Sequence, residues 1–212
     1  MKMSKNLYIW CEASSAYTRG LPASAVIAIK GKASVGLWHP WYAGMGKPAT
    51  QATLHKWAAG WKKAGAKALC IDAEGWVWKP ASIAMFATAA KSVDLPLWAA
   101  PKATCDPGGR FLDGNFSKSV KCLQKHTSAC LIWAYGSDGR TYDALRAKWR
   151  AAGYRGTLGV FQDQIRDGGG YRGRINWRSC ATTAKAKGYP FCLFVGNRSS
   201  AKDIAELKAI FA

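Results

Sequence analysis

Acidic residues are scarce in this chain, so their positions carry information. Only three glutamates occur, Glu12, Glu74 and Glu206. Glu12 directly follows the first apolar run and Glu74 sits just past another, in the stretch ALCIDAEGW, two residues after Asp72. On an extended chain, residues two apart share a face, about 6.5–7 Å apart at Cα. Asp72 and Glu74 can thus act on one bound group. Two close carboxylates repel, which raises the pKa of one of them. A protonated acid beside an ionised carboxylate is what cleavage of a glycosidic bond requires. Trp76 and Trp78 follow at once and offer flat apolar faces for sugar rings. Glu206 falls in a helical segment and reads as a surface residue.

Further binding candidates lie at the ends of other apolar runs. They are Trp38 and His39 in GLWHPWYAG, Trp98 in LPLWAA, Trp133 in ACLIWAY, and Gln162 and Asp163 in GVFQDQ. A metal held by His39, Asp72 and Glu74 is a weaker reading, and the spacing of the seven cysteines supplies no zinc ligand cluster. No cofactor is expected. Cys11, Cys70, Cys130 and Cys192 lie inside apolar runs and read as small buried hydrophobes in a reducing compartment.

These residues need elements to position them. Apolar runs at Leu7–Cys11, Val35–Trp41, Ala68–Ile71, Leu95–Ala99, Ala129–Tyr135, Thr157–Phe161 and Phe191–Val195 have strand length. Residues 22–31 are compatible with a strand or a helix. Helical periodicity appears over 50–64, 80–92, 117–126, 141–152, 176–187 and 200–211. Thr50 is a helix-capping residue and Pro80 suits a first turn. The strands read as continuously apolar, as in a parallel sheet covered on both faces. Alternation of strand and helix predicts βα units. An open doubly wound sheet also fits, but no G-x-G-x-x-G or P-loop follows a strand. The expectation is a TIM-like (β/α)-barrel of seven or eight parallel strands, irregular around residues 20–50, forming one domain over 1–212. Barrel enzymes keep their active sites at the C-terminal ends of the strands, where Glu12, Asp72 and Glu74 all fall.

A strand ending in Asp-x-Glu within a barrel of about 200 residues resembles the GH25 lysozymes, muramidases common among phage endolysins. The resemblance implies that Glu74 is the general acid. It implies that Asp72 stabilises the oxocarbenium-like centre or positions the N-acetyl group. The first-strand acid of that family corresponds to Glu12 here, where the family carries Asp. The stretch GVFQDQIRDGG is similar to the family's late strand, which places Phe161-Gln162 where the family has Trp-Gln, with Asp163 or Asp167 as a further acid.

Composition bears on partners. The chain of 212 residues has 31 Lys+Arg against 12 Asp+Glu, a formal charge of +19, and 11 tryptophans. Such a charge implies a polyanionic partner, either an anionic polysaccharide or cell wall, or a nucleic acid. No nucleic-acid-binding motif accompanies it. No apolar run approaches the ~20 residues of a membrane span, and the N-terminus lacks a signal-peptide core. The expected protein is a monomer made in the cytoplasm and either released by lysis or carried in a virion. A non-catalytic barrel serving as a phage structural or adsorption protein is one alternative, and a basic nucleic-acid-binding protein is another.

Overall fold

The computed structural model describes residues 7–11, 25–27, 34–38, 48–73, 77, 79–101, 116–133, 139–163, 177–195 and 201–212. Eight parallel strands close into a barrel in chain order: β1 (Leu7–Cys11), β2 (Val26–Ile27), β3 (Val35–Trp38), β4 (Ala68–Ala73), β5 (Leu97–Pro101), β6 (Ala129–Trp133), β7 (Thr157–Asp163) and β8 (Phe191–Val195). The seam between β1 and β8 is a full parallel pairing from Leu7 opposite Phe191 to Cys11 opposite Val195. Among the described residues, six helices cover the strands: α1 (Gln51–Lys63), α2 (Pro80–Lys91), α3 (Phe116–His126), α4 (Gly139–Ala151), α5 (Trp177–Ala186) and α6 (Ala201–Phe211).

The segment left open between helix and strand supplies the short strand β2, and this completes the count of eight. Asp72 therefore lies inside the fourth strand rather than after the third. Several strand boundaries also move: β4 runs on to Ala73, β5 shifts to Leu97–Pro101 and β6 ends at Trp133. β3 stops at Trp38, ahead of Pro40, and β7 extends to Asp163.

Register sorts the strand residues into two faces. Paired residues of parallel strands point to the same side. Cys70 is opposite Trp98 and Asp72 opposite Ala100. Tyr8 is opposite Cys192 and Trp10 opposite Phe194. This set faces the barrel interior, because Tyr8 on β1 meets Trp98 on the far strand β5 edge-to-face at 5.4 Å. The alternate set faces the helices. Trp38 packs there against Trp57 of α1 and Phe86 of α2, at 5.6 and 5.4 Å. Trp57 and Phe86 touch each other at 5.6 Å, and the Trp57 indole donates to the Leu37 carbonyl at 3.2 Å. Phe191 stacks on Phe211 of α6 at 5.7 Å.

The helices begin and end by local chemistry. The Thr50 hydroxyl accepts from the Thr53 amide at 3.2 Å and caps α1. Four helices end in the same hook, a 6→1 and a 5→2 hydrogen bond around one left-handed residue. The pairs are Ala66 to Trp61 with Gly65 to Lys62, Leu95 to Ala90 with Asp94 to Lys91, Tyr154 to Trp149 with Gly153 to Arg150, and Tyr189 to Ala184 with Gly188 to Lys185. The left-handed residue is glycine three times, at φ 88, 99 and 66°, and Asp94 once, at φ 52°. Asp94 carries a Cβ into a conformation that costs L-residues energy. Asp94→Gly should therefore raise stability by about 0.5–1 kcal/mol, read as a higher urea midpoint with unchanged slope. A lower midpoint would show that the aspartate side chain stabilises the hook by more than its strain.

A candidate active site at the C-terminal end of the barrel

Asp72 is the next-to-last residue of β4, inside an all-buried strand, and is only 1% exposed. Its register with Ala100 turns it into the barrel interior. Around this end of the barrel the interior is aromatic. Trp10 meets Phe161 at 4.8 Å and Phe194 at 5.9 Å, both edge-on. Trp133 stacks on Phe161 at 5.4 Å and 21°. Phe194 lies 6.3 Å from Phe161. Four strands, β1, β6, β7 and β8, thus contribute one continuous aromatic floor, with Asp72 supplied by β4. An aromatic face offers a sugar ring a stacking surface, and a carboxylate in apolar surroundings is the arrangement by which barrels perform acid–base chemistry.

The sequence-derived candidates divide three ways. Asp72 and Trp133 come to the C-terminal end of the interior. Trp98 is interior but one layer nearer the strand N-termini, edge-on to Tyr8. Trp38 and Gln162 point the other way. Trp38 belongs to the layer between barrel and helices, as described above. Gln162 is fully buried beneath α5, where its amide donates to the Cys180 thiol at 3.1 Å. The period of two explains both, since each stands on the outward parity of its strand. Asp163 ends β7, opposite Phe194. Glu12, His39, Glu74, Trp76 and Trp78 lie outside the described residues. Glu206 is engaged structurally on the helix layer, where Arg178 of α5 pairs with it at 2.5 Å and with Asp203 at 3.2 Å.

Trp10 and Phe194 escaped the sequence reading, and Phe161 entered it only as the neighbour of Gln162. One signal would have found the first two. In LYIWC and FCLFV the aromatic stands one residue before the strand end, so the two strands align directly.

Beneath the aromatic floor the interior carries thiols. Burial pushes the Cys70 thiol well above its ordinary range, helped by Cys192 and by the Asp72 carboxylate. Burial also raises Cys192 strongly; Cys130, on the outward parity against Thr127 and Tyr154 of the helix layer, is raised by burial to about 12. The Tyr8 hydroxyl is raised by burial and by Cys192. An unfolded thiol ionises near pH ~8.5. These thiols stay protonated in the fold above that pH while the unfolded chain releases its protons. Their contribution to stability is intact below pH ~8.5 and is lost as pH rises through the folded-state values. The urea midpoint should accordingly fall between pH 8 and 10, and replacing Cys70 and Cys192 by Ala should flatten that fall. An equal fall in the double variant would place the alkaline sensitivity elsewhere.

Among the described residues, no three His, Cys, Asp or Glu side chains gather where they could hold a metal ion, and no helix is long and apolar enough to cross a membrane.

The architecture is a TIM-like closed barrel of eight parallel strands with surrounding helices, with its candidate site at the C-terminal end of the strands. No protein-family model matches the chain, and no curated protein matches it. Solved structures do. A GH128 subgroup I endo-β-1,3-glucanase from Amycolatopsis mediterranei, in complex with laminaripentaose, superposes with a TM-score of 0.59 at 11% identity, over 97% of this chain and 99% of that one. A putative α-L-fucosidase from Bacteroides thetaiotaomicron gives 0.52 at 11% identity, over 99% and 92%. The homocysteine methyltransferase MmuM from Escherichia coli gives 0.55 at 15% identity, over 97% and 96%. The chain is similar to glycosidases of barrel fold, and equally to a barrel methyltransferase. Likeness at these identities establishes the fold alone.

Proposed function

We propose that this protein is a glycoside hydrolase acting on an anionic cell-wall polysaccharide, in the manner of a peptidoglycan muramidase. The observation that carries the reading is Asp72, a buried carboxylate at the C-terminal end of β4, set in the same interior as an aromatic floor of Trp10, Trp133, Phe161 and Phe194. In this reading Glu74, two residues on, is the general acid that protonates the leaving oxygen. Asp72 is the supporting carboxylate that stabilises positive charge at the anomeric centre or orients the substituent beside it. Glu12, the residue after β1 in sequence, is a third acid in this reading. The aromatic floor stacks on sugar faces, and Trp76 and Trp78, just after Glu74 in sequence, are further residues for sugar contact. A cationic protein is retained on an anionic wall, which suits an enzyme released by lysis or delivered in a virion.

The test is release of reducing ends from purified peptidoglycan, with laminarin and chitin as alternative substrates, by wild type, Asp72→Asn and Glu74→Gln. Cleavage of peptidoglycan lost in both variants supports the reading. Cleavage of laminarin in preference to peptidoglycan would keep the chemistry and replace the substrate. A second reading, a non-catalytic barrel with a structural or adsorption role, draws on the 1% exposure of Asp72. Absence of cleavage on all three polymers would favour it.

A further inference from the structure

The opposite end of the barrel carries a charge pattern that the candidate site does not use. Each helix returns the chain to the start of the next strand or closes the barrel, so the helix C-termini ring the N-terminal rim. The last turn of each of the six described helices is basic, with Lys62 and Lys63 in α1, Lys91 in α2, Lys125 in α3, Lys148 in α4, Lys185 in α5 and Lys208 in α6. Lys67 adds to the rim just before β4. The described acids at this end are Asp94 and Asp143, and Asp143 is ion-paired with Lys187.

The helix dipole alone favours cations at C-termini. It equally favours acids in first turns, and five of the six helices have none there. Only the cationic half of the dipole pattern is present, so helix stability does not account for it.

The chemistry of the rim narrows its partner. Its guanidinium groups are committed to the fold. Arg150 donates to the Tyr154 and Gly156 carbonyls at 2.8 and 2.9 Å, and Arg155 donates to the Arg150 carbonyl at 2.9 Å. What the rim presents is ammonium groups, which hold phosphate as point charges and read no planar shape. Single-stranded nucleic acid is gripped by stacking its bases on exposed aromatics, and the one part-exposed aromatic of the described last turns, Trp61 of α1, has its ring packed against Gly36 of β3. Duplex DNA is stiff over a persistence length of about 50 nm, so it would cross a ring on the order of 40 Å wide along one chord. A flexible chain can follow the ring.

We propose that the N-terminal rim docks a flexible, base-free phosphodiester polymer of the cell envelope, on the face opposite Asp72. The rim and its charge class stand apart from the catalytic reading; the envelope as the polymer's source rests on it. Docking there leaves the candidate mouth unobstructed.

The probe is fluorescently labelled poly(glycerol phosphate), followed by anisotropy at ~50 and ~200 mM salt. The triple variant Lys63→Gln, Lys91→Gln, Lys125→Gln should weaken binding by at least about tenfold and reduce the salt slope by about 2. A control triple with the same charge loss, Lys56→Gln, Lys79→Gln, Lys202→Gln, should weaken it by less than about threefold. Asp72→Asn should bind like wild type, so a failed catalytic assignment leaves this result readable. Equal weakening by both triples would reduce the effect to net charge and overturn the proposal. So would absence of binding at the lower salt, or tighter binding of single-stranded DNA, duplex DNA or hyaluronate than of the phosphodiester polymer.

Discussion

Asp72→Asn is expected to lower glycan cleavage by about 10²–10⁴-fold while the barrel stays folded. The substitution keeps the shape of the side chain and removes its charge. Asp72 is 1% exposed and faces an interior of apolar and aromatic groups, where water screens little and a charge acts strongly on a neighbouring cation. A transition state with oxocarbenium character depends on that charge, whereas ground-state stacking on Trp133 and Trp10 does not. The loss should therefore appear in kcat with KM little changed. Thermal unfolding of the variant should stay within a few degrees of wild type. Turnover within threefold of wild type would remove Asp72 from the chemistry. A collapse of the unfolding temperature would instead make it a structural carboxylate.

Trp10→Ala is expected to cost about 3–5 kcal/mol of stability, the range for deleting a large aromatic from a core. Trp10 is 2% exposed and lies against Phe161 and Phe194. It also sits at the seam where β1 closes on β8. Its removal leaves a cavity bounded by strands that are held by backbone ladders and cannot collapse to fill it. Urea unfolding would report the loss directly, and a cost under about 1 kcal/mol would mean that the floor repacks. Trp133→Ala is the informative companion. Trp133 is 8% exposed and ends β6, so it should lose less stability and more substrate affinity.

Much of the fold was legible. The alternation of apolar runs and helical periods located seven of the eight strands and the six described helices, because each helix carries its own period and each of those strands is a continuous apolar run. The strand β2 was not, since two residues, Val26 and Ile27, show no period at all. Within the strands the sequence determined which residues are buried but not which way they face. Both surfaces of a barrel strand are covered, one by the interior and one by helices, so apolar residues occupy both parities and the alternation that marks a half-exposed strand vanishes. Trp38 and Gln162 looked like lining for the mouth and belong to the helix layer. Trp10 and Phe194, not singled out in the sequence, form the floor. Only the pairing of each strand with its neighbours, Trp10 opposite Phe194 and Asp72 opposite Ala100, decided this, because closure of the barrel fixes the stagger between strands far apart in the chain. The Asp-x-Glu spacing and the basic charge were properties of the sequence by itself. That the acid of this pair faces an aromatic interior, while the lysines of six helix ends meet on the opposite rim, was decided by the tertiary structure alone.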